Sequence, residues 1–141
     1  MDHDFVLENE ASLHELRSRV ESLKDDDFRR RLANGWTVAA ALCHLAFWDR
    51  VMLGRIERWE RDGVEPVVLD ARSTDPLNDA VHMMSGAVSG PEAARMVLEA
   101  AEKIDAKVAS LSPEMIEKFA AKGLDRMLHR HLHRRDHLRR L

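Results

Sequence analysis

Two histidines four residues apart, His133 and His137, stand near the end of the chain, and a third, His44, lies far upstream. Residues i and i+4 share one face of a helix. Two imidazoles so placed can hold one divalent ion, and a third from another helix completes a three-nitrogen set. Three protein ligands leave a coordination position open for water or substrate, which separates a catalytic site from a closed structural one. Neutral imidazole nitrogens favour Zn²⁺ or Ni²⁺ over Mg²⁺ or Ca²⁺. Such an ion draws the pKa of a coordinated water or thiol toward neutrality.

Other side chains compete for these roles. His129, His133 and His137 form one i, i+4 row, so His129 with His133 is an alternative pair. Leu124, Met127, Leu128, Leu132, Leu138 and Leu141 define an apolar stripe on the last helix. At about 100° per residue, His131 falls in the middle of that stripe, His133 nearly opposite it and His137 beyond its flank. Periodicity alone therefore nominates His131 as the inward residue. His44 falls at the edge of the stripe of its own helix, which suits a pocket wall. Asp49 and Asp136 are candidates to accept hydrogen bonds from ligand imidazoles. Cys43 reads as a packing residue, Trp48 and Trp59 as core, and His3, His14 and His82 as surface. Arg130 and Arg134 are near enough in sequence to meet an anionic substrate.

The elements that must position these residues are helical. Gly and Pro number 6 and 4, and Ala, Leu, Glu and Arg abound, residues that lose little freedom in a helix. A first helix is expected over Phe5–Leu23, with Leu13, Leu16, Val20 and Leu23 on one face. A second runs from Val38 to Asp62, with Thr37 as its N-cap and Gly63 at its C-terminal end. The irregular stretch 64–90 holds a short helix near Pro76–Met84. Gly90-Pro91 opens a third long helix, reaching Leu111. Ser112-Pro113 opens a short one that Gly123 ends, and a last helix spans Leu124–Leu141. The expectation is an all-α single domain over 1–141. It is a four-helix bundle with a long crossover between its second and third long helices and a short helix before the last.

Charge is unevenly spread. Residues 1–27 carry nine acids against three bases, and residues 124–141 carry six arginines against two acids. The first and last helices can meet each other with these faces. The formal net charge of -3 gives no global pull toward nucleic acid or membrane. The single Cys43 excludes an internal disulfide. The N-terminus is acidic with no apolar stretch, so a cytoplasmic protein is the expectation.

The segment Trp36-Thr37-Val38 followed by His44-Leu45, together with His133-Arg134-Arg135-Asp136-His137-Leu138, resembles the DinB/YfiT-like superfamily of four-helix bundles. That superfamily includes mycothiol-dependent maleylpyruvate isomerases and bacillithiol S-transferases. Leu77-Asn78-Asp79-Ala80 and Pro91-Glu92-Ala93-Ala94-Arg95 are also similar to its members, so the resemblance covers nearly the whole chain. It implies that His44, His133 and His137 are the metal ligands. It also implies a low-molecular-weight thiol that attacks, as thiolate, an electrophilic carbon of a small-molecule substrate. Hydrolysis on the same scaffold is the alternative within this class. Two readings come from other classes: a metal-free bundle acting as a homodimer or by partner binding, and anionic-polymer binding through the Arg-rich last helix. A homodimer is expected, membrane association is not, and no residues here read bases.

Overall fold

Helix-forming residues dominate the chain, and helices dominate the structure. A computed structural model describes residues 4–141. Its helices are α1 (Asp4–Glu21), α2 (Val38–Asp62), α3 (Ala71–Ser85), α4 (Gly90–Ser110), α5 (Pro113–Ala121) and α6 (Arg130–Leu138), with 3-10 turns at Asp25–Arg29 and Asp125–Met127. The expected bundle is present, formed by α1, α2, α4 and α6. α2 packs along α4, α1 lies against both α4 and α6, and α3 leans on α2 within the crossover. Among the described residues, extended pairing is confined to a bridge between Arg31 and Thr37. No helix among them is long and apolar enough to cross a membrane. His3 lies outside the described residues.

Local chemistry sets the helix limits. Thr37, Ser89 and Ser112 each accept the backbone N–H three residues on, at 3.1, 3.2 and 3.1 Å, satisfying a free donor at each N-terminus. Asp70 does the same for Ser73 at 2.9 Å. That cap starts α3 earlier than Pro76, and the proline sits inside the helix rather than opening it. Gly90 permits a close approach: a Cβ there would fall 2.4 Å from the Phe28 ring, so the turn before α4 packs against Phe28 only because that position is bare.

The last helix departs from expectation. Gly123, at φ +68°, ends α5 in a left-handed conformation that a side chain would disfavour. The Leu124 N–H donates to the Phe119 carbonyl at 2.8 Å and the Gly123 N–H to that of Ala120 at 3.1 Å, the paired bonds of a Schellman ending. The chain then makes a 3-10 turn, and α6 starts only at Arg130. Leu124, Met127 and Leu128 are buried in that turn and do not share the helical phase of α6. The inward phase is set instead by Arg130, His133, Arg134 and His137, an i, i+3, i+4, i+7 row of polar residues. Leu132, counted in the apolar stripe, is 43% exposed.

Polar bonds from three other helices hold this short helix. Arg134 is 2% exposed. Its Nη1 and Nη2 donate to both carboxylate oxygens of Asp105 on α4 at 2.9 and 3.0 Å. Nη1 also reaches the Asn9 carbonyl and the Ser12 hydroxyl of α1, each at 3.0 Å. Arg130 Nε donates to Asp49 Oδ1 of α2 at 2.9 Å, and Arg134 lies 3.6 Å from the other Asp49 oxygen. Asn9 acts as a cap from a distant helix. Its Oδ1 accepts the His131 backbone N–H at 2.9 Å, and its Nδ2 donates to the Leu128 carbonyl at 2.8 Å. The acidic first helix and basic last helix meet as expected, through Arg135 paired with Glu8 and Glu15.

Removing one member of a buried charge network leaves the others uncompensated. Arg134→Met is expected to lower the unfolding free energy by about 3–5 kcal/mol, read from denaturant melts. Adding Asp105→Asn to that variant is expected to recover part of the loss; simple addition of the two losses would contradict a coupled network.

Candidate metal centre

The site grows from the segment Trp36-Thr37-Val38. Thr37 caps α2, Val38 is fully buried, and Trp36 is fixed by the hairpin-like bridge before the helix, its carbonyl accepting the Leu32 N–H at 2.8 Å. The Trp36 ring stands edge-on to His44, centroids 5.5 Å apart at 78°, and stacks on His82 at 4.5 Å and 11°. His82, expected to be a surface residue, is exposed but forms the outer layer of this aromatic wall. His14 is exposed.

His44 on α2 meets the pair from α6. His44 Nε2 and His133 Nε2 are 3.1 Å apart. The His137 ring centroid lies 4.7 Å from that of His44 and 4.8 Å from that of His133. One ligand nitrogen from each of the three lies within 4.8 Å of the others. Two nitrogens on a tetrahedral Zn²⁺ at ~2.05 Å sit roughly 3.3 Å apart, so the shortest separation here fits shared coordination. The donor set, three imidazoles and no thiolate, suits a borderline ion.

Burial prepares the same nitrogens. Desolvation, and after it the neighbouring His137, pushes His44 down to about 4. His133 is lowered further, by burial first and then by His137, Arg130 and His44. Burial also lowers His137, with Asp136 opposing. The downward shifts favour the neutral form of all three at pH 7, the form that offers a nitrogen lone pair to a metal. His44 Nδ1 is buried and has no hydrogen-bond partner, so no protein group orients this ring from behind, and packing against Trp36 fixes its edge.

The competing histidines are elsewhere. His131 is buried, as its periodicity indicated, but its Nδ1 lies 3.1 Å from Asn9 Oδ1 on the α1 side. His129 sits at the N-terminus of α6 with its ring 5.1 Å from that of Phe5. Neither belongs to the cluster. Asp49 does not orient an imidazole, because Arg130 and Arg134 occupy it. Asp136 accepts from Arg139 and Arg140 on the surface. Arg130 and Arg134 are bound to Asp49 and Asp105 and do not reach out to an anion. Trp59 packs half-buried on Phe119. Trp48 is buried, with its Nε1 donating to Asn78 Oδ1 at 2.7 Å. Cys43 is buried under the α3 side of α2, and burial raises its thiol.

A chamber of about 520 Å³ opens beside His44 and His133, walled by Trp48, Met52, Leu69 and Met127 among others. This size suits a small molecule. A bundle with two histidines on its last helix facing one on its second is the arrangement the resemblance implied. The sequence model of the DinB superfamily matches residues 8–139. The chain belongs to this superfamily. No curated protein and no solved structure matches it. Within this DinB member, the site features that spacing did not reveal are the Arg130–Asp49 and Arg134–Asp105 pairs and the Trp36–His82 stack. The pairs had one signal: Asp49 stands four residues after Leu45 and seven before Ile56, a charged residue in a buried row.

The folded chain protonates His44 at about 4, whereas an unfolded chain does so near 6.5. Between those values the unfolded chain binds more protons, so stability falls as pH drops through that window. Metal-free protein is expected to lose on the order of 3 kcal/mol through His44 by the low end of it. Urea midpoints of chelator-treated protein between pH 7.5 and 4 check this against His44→Gln, whose profile should be flatter; identical profiles would contradict it.

Proposed function

We propose that this protein is a divalent-metal-dependent enzyme whose ion is held by His44, His133 and His137. The observation that carries the reading is the convergence of three desolvated imidazoles from two helices, two of whose ring nitrogens are 3.1 Å apart, with His44 and His133 in the wall of a chamber. Zn²⁺ or Ni²⁺ fits the donors best. When bound, such an ion supplies Lewis acidity that makes a thiol or water a nucleophile near neutral pH.

The finer reading is a thiol-dependent S-transferase or isomerase acting on a small electrophile. Three features of the chain support it over hydrolysis. The chamber is largely apolar, walled by Met52, Leu69, Leu124 and Met127, which favours an organic co-substrate over water. No Asp, Glu or further His stands in the lining to take a proton from water as general base. Superfamily membership is consistent with both chemistries, and the resemblance carried by the W-T-V…H-L and H-x-x-x-H-L segments implies the thiol version. The chain's own contribution is positional: Trp36 packs edge-on against His44, Trp48 lines the chamber beside it, and the α6 network fixes two of the three rings.

Protein purified without a histidine tag and offered Zn²⁺ or Ni²⁺ is expected to hold close to one ion per chain. His137→Ala should lose most of it while keeping its helical circular dichroism. Wild-type protein that stays metal-free would remove the reading. Co²⁺-substituted protein titrated with a small thiol is expected to gain a sulfur-to-metal absorption band. Its absence alongside ester hydrolysis would favour the hydrolase.

A further inference from the structure

The charges lining the chamber do not balance. Its walls include three arginines, Arg55, Arg126 and Arg130, and no Asp or Glu. Arg130 is neutralised by Asp49 at 2.9 Å. The other two meet no carboxylate among the described residues. Arg126 is exposed at the mouth. Arg55 is half-buried, and its protein partners are the Val67 carbonyl, which accepts from Nη2, and the Met52 sulfur, 3.5 Å from Nη1. A guanidinium has five N–H donors in a fixed fork, so most of those on Arg55 remain free. Burial without a counter-charge lowers its pKa from the ordinary value, though an arginine stays charged.

Position completes the case. His44, Trp48, Met52 and Arg55 follow one another at i, i+4, i+8 and i+11 on one face of α2. Eleven residues span about 16 Å of helix. The Arg55 fork reaches back along this face as far as Met52, whose sulfur lies 3.5 Å from Nη1. Trp48 and Met52 stand between His44 and Arg55 on α2, and the rest of the wall is mostly apolar, with Thr74 and Asn78 as its uncharged polar members.

We propose that this chamber takes an organic anion with an apolar body, whose carboxylate is held by Arg55 and, at the mouth, by Arg126. The proposal rests on the reading that this chamber serves the three-histidine centre. A planar fork of N–H donors matches a carboxylate bidentately, and a single negative charge is cheaper to desolvate among apolar walls than a double one. The carboxylate can belong to the electrophile or to the thiol.

Two matched pairs separate these sources: 4-phenylbutanoate against its amide, and N-acetylcysteine against its amide, each titrated calorimetrically into metal-loaded protein. In at least one pair the acid should bind tenfold or more tighter than the amide, roughly the worth of a charged hydrogen-bonded contact. The pair that shows it assigns the charge. In Arg55→Met that preference should vanish while amide affinity and metal content hold, and Arg55→Lys should restore part of it. No preference in either pair overturns the proposal. So does a preference that survives Arg55→Met, or an equal loss for acid and amide, which would mean Arg55 only anchors the Val67 wall. A preference abolished by chelator but not by Arg55→Met would put the carboxylate on the ion, overturning the role of Arg55 and leaving the metal reading intact. An Arg55-dependent preference in protein that takes up no metal would sustain the anion site and sink the metal reading.

Discussion

Everything at the site hangs on a guanidinium that water scarcely reaches. Arg134 ties α6 to Asp105 on α4 and to Asn9 and Ser12 on α1, and it lies beside Asp49 on α2. α6 is nine residues long, too short to persist on its own. Its mean hydropathy is low, and among its residues only Leu132 and Leu138 are aliphatic, the first exposed and the second half-buried. Apolar burial therefore cannot hold it, and charged hydrogen bonds do. Two arginines face two aspartates, so the cluster carries no net charge. A buried network of this kind adds little to net stability over an apolar equivalent, but it fixes orientation. Here orientation matters, because His133 precedes Arg134 by one residue and His137 follows it by one turn. Locking Arg134 sets the azimuth of both imidazoles.

The two sides of α6 divide the work. Toward α1 it presents His131, Arg135 and Leu138, which meet Asn9, Glu8 and Glu15, and the apolar core. Toward α2 it presents Arg130, His133 and His137. The histidine on the first side makes structural bonds. Those on the second find no carboxylate or carbonyl partner among the described residues; His133 and His44 face each other nitrogen to nitrogen. Burial depresses the basicity of all three imidazoles, because a proton there lacks solvent, and for His44 and His133 a charge on His137 adds repulsion. The arrangement is unfavourable for protons and favourable for a cation that all three can share.

Much of this was legible in the sequence, and the illegible part has a definite cause. The limits of α2, its Thr37 cap and its Gly63 ending follow from local chemistry and stand as read. So do the opening of α4 at Gly90-Pro91 and of α5 at Pro113. The phase of the last helix did not, because Leu124, Met127 and Leu128 are apolar and adjacent but belong to a 3-10 turn. Counting them with the helix rotated its apparent inner face toward His131. Remove them, and the spacing 130, 133, 134, 137 is a clean amphipathic row whose members happen to be polar. Hydropathy patterns assume that the buried face is the apolar one; a helix docked by ion pairs violates that assumption. The early start of α3 has a similar origin, since the Asp70 cap outranked the proline signal.

Asp49 shows that a place in a buried row does not fix a carboxylate's partner. Its place in a buried row of α2, one turn and a bit beyond His44, made it a natural acceptor for a ligand imidazole. The structure gives it to Arg130 and Arg134 instead. The exchange has a physical logic. A carboxylate hydrogen-bonded to a neutral imidazole would still need a counter-charge in this dry interior, and two guanidiniums supply it fully. With Asp49 neutralised, no negative charge within hydrogen-bond reach raises the basicity of His44 or His133. Their affinity for a cation then depends on lone-pair geometry and on exclusion of water, both of which follow from how tightly α6 is pinned.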